Sequence, residues 1–192
     1  MGNYVRKAIK IMLIRHGEKP PPSNPPHGIS HVGKRDKECL TVRGWQRAGA
    51  LAALFAPPNG LQIPNLAKPH FLFASKPLRR GGSQRALQTL TPLAEKLGMR
   101  VNIKYPRDRF KEMLEEVYAS DGVVLISWQH DYLPLIANDI LGNSTVVAQK
   151  WPEGRFDIVW VFDRDRKSET YQFKEVLQCL LSGDSTTLIL DR

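Results

Sequence analysis

The residues with the clearest chemistry are Arg15-His16-Gly17, a histidine placed between an arginine and a glycine. They follow residues 9–14, an apolar run interrupted only by Lys10, which predicts a strand buried on both faces. Ligand sites in open α/β sheets lie at the carboxyl ends of strands. The Arg15 guanidinium offers planar donors suited to phosphate oxygens, and Gly17 permits a sharp turn and a close approach to a ligand. The segment is therefore predicted to bind phosphate.

A second buried strand is followed by a second histidine. Residues 123–126 are apolar and come after Asp121-Gly122, and the chain continues through Ser127-Trp128-Gln129 to His130. Two predicted strand ends therefore each deliver a histidine.

The surrounding elements predict an α/β sandwich with a mainly parallel sheet. Val42–Phe55 has the apolar spacing of an amphipathic helix, with Thr41 as its N-cap and Pro57-Pro58 after its end. Pro92 is expected to kink or restart the second helix. Further strands are predicted at residues 71–74, 101–103, 158–162 and 171–177, the last two joined as a hairpin, and further helices at 85–97, 110–119 and 133–141.

The composition indicates one globular domain over residues 1–192 with anionic partners. Lys and Arg outnumber Asp and Glu by 28 to 19, which gives a formal charge of +9. The sequence has no recognition-helix pattern, zinc-finger spacing or basic-aromatic platform, so nucleic acid is not the expected partner. A phosphorylated substrate fits the charge equally well.

The protein is expected in the cytoplasm and without a membrane partner. Its two cysteines, Cys39 and Cys179, form neither a CxxC pair nor a disulfide framework, so free thiols are predicted. No apolar segment reaches the length of a membrane span, and no signal peptide is recognised at the N-terminus.

Two segments near the predicted site could contribute further cations. A loop at about residues 19–39 begins with five prolines in seven residues and contains Lys34, Arg35 and Lys37, which either steer an anionic substrate or keep the loop solvated. Arg79-Arg80 and Gly81-Gly82 precede the second helix, where they form either an extra phosphate contact or a plain turn.

With Arg15-His16-Gly17 after the first strand, the sequence resembles the histidine phosphatase superfamily, also called phosphoglycerate mutase-like. The resemblance covers roughly residues 8–163 and implies that superfamily's three-layer α/β/α fold. It is strengthened by Leu40-Thr41-Val42-Arg43-Gly44-Trp45-Gln46-Arg47-Ala48 and by Ser83-Gln84-Arg85-Ala86-Leu87-Gln88-Thr89. The short length and Trp128-Gln129-His130 are most similar to compact, uncharacterised phosphatases of this superfamily.

The resemblance implies a role for each matched residue. His16 is the expected nucleophile, and Arg15, Arg85 and His130 are the expected phosphate ligands. The implied reaction is metal-independent and needs no cofactor: His16 becomes phosphorylated, and water then releases phosphate. A small phosphorylated molecule or a phosphoprotein is the expected substrate.

The acid that protonates the leaving group is not fixed by the sequence. Asp131 ranks first because it follows His130, although it could instead cap the next helix. Other candidates are Glu18, Glu112, Glu115 and Glu116, of which the last three could simply form a solvated helix face. Without such an acid, the substrate needs a good leaving group, as in a phosphohistidine, an acyl phosphate or an aryl phosphate.

Other functions remain open from the sequence. A phosphomutase of the same superfamily would return the phosphoryl group to the substrate. A catalytically weak module would only bind phosphate or a phosphoprotein, and a nucleic-acid binder would rest on charge alone.

Overall fold

The computed structural model describes residues 7–23, 25–77, 82–165 and 167–190. Its strands form one sheet in the order β3-β2-β4-β1-β5-β6. The pairs β3-β2, β2-β4 and β4-β1 are parallel, whereas β1-β5 and β5-β6 are antiparallel. The elements are β1 (Lys10–Arg15), α1 (Val42–Phe55), β2 (Phe71–Ala74), α2 (Arg85–Leu97), β3 (Val101–Asn102), α3 (Phe110–Ala119), β4 (Val123–Trp128), α4 (Leu133–Leu141), β5 (Ile158–Arg164) and β6 (Tyr171–Leu177). The predicted mainly parallel sheet and the β5-β6 hairpin are confirmed.

Two hydrophobic cores lie on opposite faces of the sheet. In β1, Ile11 and Leu13 enter the core that also contains side chains of α3 and α4. Met12 and Ile14 enter the core shared with α1 and α2. Successive side chains of a strand point to opposite faces, so a strand in the middle layer must be apolar at every position. This arrangement confirms the three-layer α/β/α sandwich.

The register of β1 and β4 positions the two histidines. Arg15, the last residue of β1, pairs with Trp128, the last residue of β4. The backbone N–H of His16 continues this ladder by donating to the carbonyl of Trp128 at 3.1 Å. The chain segments that follow β1 and β4 therefore begin side by side at one edge of the sheet.

The helix ends agree with the sequence-based predictions, but the path of α2 around Pro92 does not. Thr41 caps α1 by accepting from the N–H of Gly44 at 3.1 Å, and Gly98 ends α2 in the left-handed conformation. Pro92 was expected to kink or restart α2, and the restart is wrong, because one helix runs from Arg85 to Leu97. Packing of buried side chains such as Leu93 compensates for the single backbone donor that the proline lacks.

The long loop after β1 contains short backbone pairings. Gly28 pairs with Thr41, and Ile29 pairs with Arg35. A Cβ atom at Gly28 would lie 2.1 Å from the carbonyl oxygen of Asp36, so only glycine fits there. The loop therefore folds back against the start of α1.

Candidate active site

His16 is buried in the loop that leaves β1, with only 3% of its surface exposed. Its Nδ1 lies 2.8 Å from the carbonyl oxygen of Gly17. The N–H of Gly17 in turn donates to Oγ1 of Thr89 at 2.8 Å, and Thr89 donates to the carbonyl of Arg85 at 2.7 Å. The loop that carries His16 is thus tied to the first turn of α2.

Burial and nearby cations keep His16 neutral. Burial lowers the pKa of the imidazole to about 3, and the charges of Arg15, Arg85 and His130 act in the same direction. The other three residues that the sequence singled out therefore all act electrostatically on His16. A neutral imidazole retains the lone pair that a nucleophile needs.

Arg15 is fully buried and only partly satisfied by protein groups. Its Nη1 donates to the carbonyls of Pro152 and Arg155 at 3.2 and 3.1 Å, and also to the carbonyl of Glu153. The guanidinium carbon lies 3.9 Å from the centre of the Phe156 ring.

The other two nitrogens of Arg15, Nε and Nη2, are buried and have no hydrogen-bond partner among the residues that the structure describes. An unpaired buried donor is costly unless a ligand satisfies it, and two donors on one guanidinium edge match a phosphate. Burial lowers the pKa of Arg15 to about 10, so the side chain is still charged at neutral pH.

Arg85 begins α2 and is held by the loop that precedes α1. Its Nε donates to the carbonyl of Cys39 at 3.4 Å, its Nη2 donates to the carbonyl of Lys37, and Glu38 lies 3.7 Å from Nη2. Burial lowers its pKa. The long loop therefore orients the second candidate phosphate ligand.

His130 is partly exposed, and its Nδ1 lies 3.3 Å from Oδ1 of Asp131. Burial, followed by the charge of Arg15, lowers the pKa of His130, while Asp131 opposes this effect. Asp131 does not cap α4, because Tyr132 occupies the N-cap position and no side chain bonds there. The Asp131 carboxylate instead faces the imidazole.

The glutamates proposed as proton donors have other partners. Glu18 pairs with Arg47 at 2.8 Å, and Glu112 pairs with Arg109 at 3.3 Å. Glu115 is exposed on α3.

Glu116 accepts hydrogen bonds from Tyr105, Asn102 and Lys104 at 2.6, 2.9 and 3.1 Å. Although burial opposes the effect, these bonds lower its pKa. Glu116 therefore stays ionised, which does not suit a proton donor.

One acid that was not among the sequence-based candidates shares a cavity with Arg85. Asp108 lines a cavity of about 740 Å³ together with Arg85 and Gln129, the residue before His130. The segment from β3 to α3 has no periodic pattern around Asp108, so nothing in the sequence distinguished it from other exposed acids. Its position makes it a second candidate proton donor.

Arg47 is a further residue that the sequence did not single out. It is 2% exposed and donates to Glu18, Gln178 and Asp184, the last at 2.6 Å. Although burial opposes the effect, the bond from Arg47 lowers the pKa of Asp184 to about 2. This cluster joins α1, the loop after His16 and the segment after β6.

Some sequence-based expectations concern parts of the chain that lie beyond the described ranges. Arg79, Arg80 and Gly81 fall between residues 77 and 82, outside the described part of the chain.

Among the residues that the structure does describe, no group of three His, Cys, Asp or Glu side chains is placed to hold a metal ion. No helix within the described ranges is long and apolar enough to cross a membrane.

Comparisons with known proteins identify the fold. No family model and no curated protein sequence matches the chain. Solved structures do match, among them the alpha-ribazole phosphatase from Shigella flexneri, with a TM-score of 0.54, 16% identity, and coverage of 88% of this chain and 96% of that one.

Two further structures match over similar lengths. A mycobacterial glucosyl-3-phosphoglycerate phosphatase in complex with inorganic phosphate has a TM-score of 0.53 and 12% identity, with 88% of this chain and 95% of that one covered. The protein histidine phosphatase SixA in complex with tungstate has a TM-score of 0.51 and 15% identity, with 88% and 97% covered. The chain therefore has the phosphoglycerate mutase-like fold that these solved structures share.

Proposed function

We propose that this protein is a metal-independent phosphatase that hydrolyses a phosphorylated substrate through a phosphohistidine intermediate on His16. One observation carries the proposal. A buried, neutral His16, oriented by the Gly17 carbonyl, follows an arginine whose Nε and Nη2 are buried without partners among the described residues. A neutral imidazole therefore lies next in the chain to two donors suited to phosphate oxygens.

In the first step, the lone pair on Nε2 of His16 attacks phosphorus. The bond from phosphorus to the leaving oxygen breaks, and that oxygen takes a proton from an acid. Arg15 and Arg85 would offset the charge on the phosphoryl oxygens, which supplies the electrostatic stabilisation that phosphoryl transfer requires. The negative charge of a bound phosphate would favour the protonated form of His130, which then adds a further donor.

In the second step, water gives a proton to the carboxylate that the first step produced, and its oxygen attacks the phosphorus of phosphohistidine. The bond to Nε2 breaks, inorganic phosphate leaves, and His16 recovers its lone pair. Because Nδ1 faces a carbonyl, the imidazole keeps one orientation through both steps.

We propose Asp131 as the proton donor, with Asp108 as the alternative. Asp131 lies beside His130, and Asp108 lines the cavity next to Arg85. The two acids approach from different segments, so substitutions can separate their contributions.

The fold supports phosphatase activity but leaves the substrate open. The three similar structures are named an alpha-ribazole phosphatase, a glucosyl-3-phosphoglycerate phosphatase and a protein histidine phosphatase. Both a small molecule and a phosphoprotein are therefore compatible with this fold. We further propose that the enzyme acts in the cytoplasm, since Cys39 and Cys179 are free thiols.

Phosphate release tests the proposed function. The wild type should release inorganic phosphate from p-nitrophenyl phosphate and from members of a sugar phosphate panel, equally with and without EDTA. His16→Ala should abolish release, while His31→Ala, which removes an exposed histidine, should not.

Other outcomes would replace the proposal. Isomerised sugar phosphate without phosphate release indicates a phosphomutase. Phosphate binding without turnover indicates a binding module, and loss of activity in EDTA contradicts metal independence.

A further inference from the structure

We propose that the substrate is a small hydroxylated phosphate ester with a second anionic group, which binds in the cavity beside Arg85 between Lys76 and Arg107. This inference rests on the proposed function, because the cavity adjoins the site where His16 would act.

The cavity shares Arg85 with the candidate phosphate site. Arg85 and Gln129 both line it, and Gln129 directly precedes His130. Its volume of about 740 Å³ lies in the range of pockets that hold small organic ligands. The part of the substrate that leaves after phosphoryl transfer would therefore occupy it.

The charged side chains of the cavity favour an anion. Among the described residues that line it, four are cationic and two are acidic. The cations are Lys76, Arg85, Arg107 and Arg109, and the acids are Glu38 and Asp108. Arg85 pairs with Glu38, and Arg109 pairs with Glu112. Within the described part of the chain, Lys76 and Arg107 have no ion-pair partner, so both can bind a substrate anion.

The backbones that carry these two cations are anchored. The N–H of Lys76 donates to the carbonyl of Tyr105 at 2.7 Å, and Nε1 of Trp128 donates to the carbonyl of Arg107 at 3.1 Å. The segment after β2 and the segment before α3 are thereby fixed to each other and to β4. Fixed attachment points reduce the entropy lost when Lys76 and Arg107 close on a ligand.

Gln129 favours a substrate that carries hydroxyl groups. It is 9% exposed, and its Nε2 donates to Oγ of Ser75 at 2.7 Å. Within the described ranges its buried Oε1 has no hydrogen-bond partner. A substrate hydroxyl could donate to this oxygen, whereas a carboxylate or a fully ionised phosphate could not.

The opposite side of the site is less suited to an anion. A second cavity of about 390 Å³ borders His130 and contains Asp131, Glu153 and Lys150. Its two carboxylates outnumber its single lysine. The difference between the two cavities directs an anionic leaving group towards Arg107.

Three probes separate the hydroxyl and anion contributions. 6-Phosphogluconate has a carboxylate where sorbitol 6-phosphate has a hydroxymethyl group, and the two are otherwise the same. Hexyl phosphate has neither the carboxylate nor any hydroxyl group. We expect kcat/KM for 6-phosphogluconate to exceed that for sorbitol 6-phosphate by about tenfold, mainly through KM. The kcat/KM for sorbitol 6-phosphate should in turn exceed that for hexyl phosphate.

A matched pair of charge variants assigns the preference to the cavity. Arg107→Gln should bring the ratio of kcat/KM for 6-phosphogluconate over sorbitol 6-phosphate towards one. Lys96→Gln removes an exposed cation from the far end of α2 and should leave this ratio unchanged. An equal fall in the ratio for both variants would indicate a general effect of net charge and overturn the inference.

The failure of this inference is distinguishable from the failure of the proposed function. Equal hydrolysis of all three probes, or a strong preference for an acidic phosphopeptide over 6-phosphogluconate, overturns the inference and leaves the phosphatase intact. Absence of phosphate release from the probes and from p-nitrophenyl phosphate overturns both.

Discussion

Nδ1 of His16 lies 2.8 Å from the carbonyl oxygen of Gly17, the next residue in the chain. A carbonyl oxygen only accepts hydrogen bonds, so the proton of the neutral imidazole sits on Nδ1 and the lone pair is on Nε2. The direction of nucleophilic attack is thereby fixed within the loop that bears the nucleophile.

The depressed pKa of His16 predicts a loss of stability in acid. Unfolded histidine has a pKa near 6.5, whereas burial and the neighbouring cations lower it to about 3 in the folded protein. Between these values the unfolded chain binds more protons, so stability falls as the pH drops from about 6.5 towards 3. At pH 4 the loss from this group is on the order of 3 kcal/mol.

Urea unfolding at pH 7 and pH 4 measures this loss. His16→Asn should make the free energy of unfolding less sensitive to pH than in the wild type, because the depressed titration is removed. His31→Asn, at an exposed position, should behave like the wild type. Equal pH sensitivity in the wild type and His16→Asn would show that His16 titrates normally.

Arg15→Lys should lower kcat/KM for p-nitrophenyl phosphate by roughly a thousandfold. One ammonium group cannot bond the carbonyls of residues 152–155 and also present two further donors to phosphate. Steady-state kinetics, with thermal unfolding to confirm the fold, measures the effect. Arg100→Lys is the control at an exposed arginine, and a loss below tenfold in Arg15→Lys would contradict the assigned role.

Asp131→Asn should lower kcat much more for alkyl phosphates than for aryl phosphates. An alkoxide needs a proton as it leaves, whereas p-nitrophenolate does not, so we expect kcat to fall about a hundredfold for the former and little for the latter. The same measurement on Asp108→Asn tests the alternative donor. If neither variant discriminates between leaving groups, the enzyme uses a substrate such as phosphohistidine or an acyl phosphate.

Arg47→Met should destabilise the protein by about 3 kcal/mol, because it leaves the carboxylates of Glu18 and Asp184 buried without their main partner. Arg43 contacts the same two carboxylates at 3.3 and 3.7 Å but is far more exposed. Arg43→Met should therefore cost less than about 1 kcal/mol. Urea unfolding at neutral pH distinguishes the two, and equal losses would contradict the central position given to Arg47.

Periodicity predicted most of the elements because each buries one stripe or both faces against a neighbour. Residues 9–14 and 123–126 could be recognised as central strands because, apart from Lys10, they are apolar, as burial on both faces of a sheet requires. His16 and His130 could then be identified because they follow the ends of these strands. The Arg15-His16-Gly17 motif could be recognised because its residues are adjacent in the chain.

The supporting contacts could not be predicted because they join residues distant in sequence. Arg47 binds Asp184 from 137 positions away, and Arg15 binds the carbonyl of Arg155 from 140 positions away. Backbone carbonyls also carry no residue-type signal, so the groups that hold Arg15 and Arg85 leave no motif. Asp108 was missed for a related reason, since its importance lies only in the cavity that it shares with Arg85.

Chemical trapping of the phosphorylated enzyme tests the central claim most directly. The enzyme would be mixed with ³²P-labelled substrate, quenched in base to preserve phosphohistidine, and its labelled peptide identified by mass spectrometry. We expect acid-labile phosphate on His16 in the wild type and in His31→Ala, and none in His16→Ala. An active wild type without such label, or equal label in His16→Ala, would contradict the phosphohistidine mechanism.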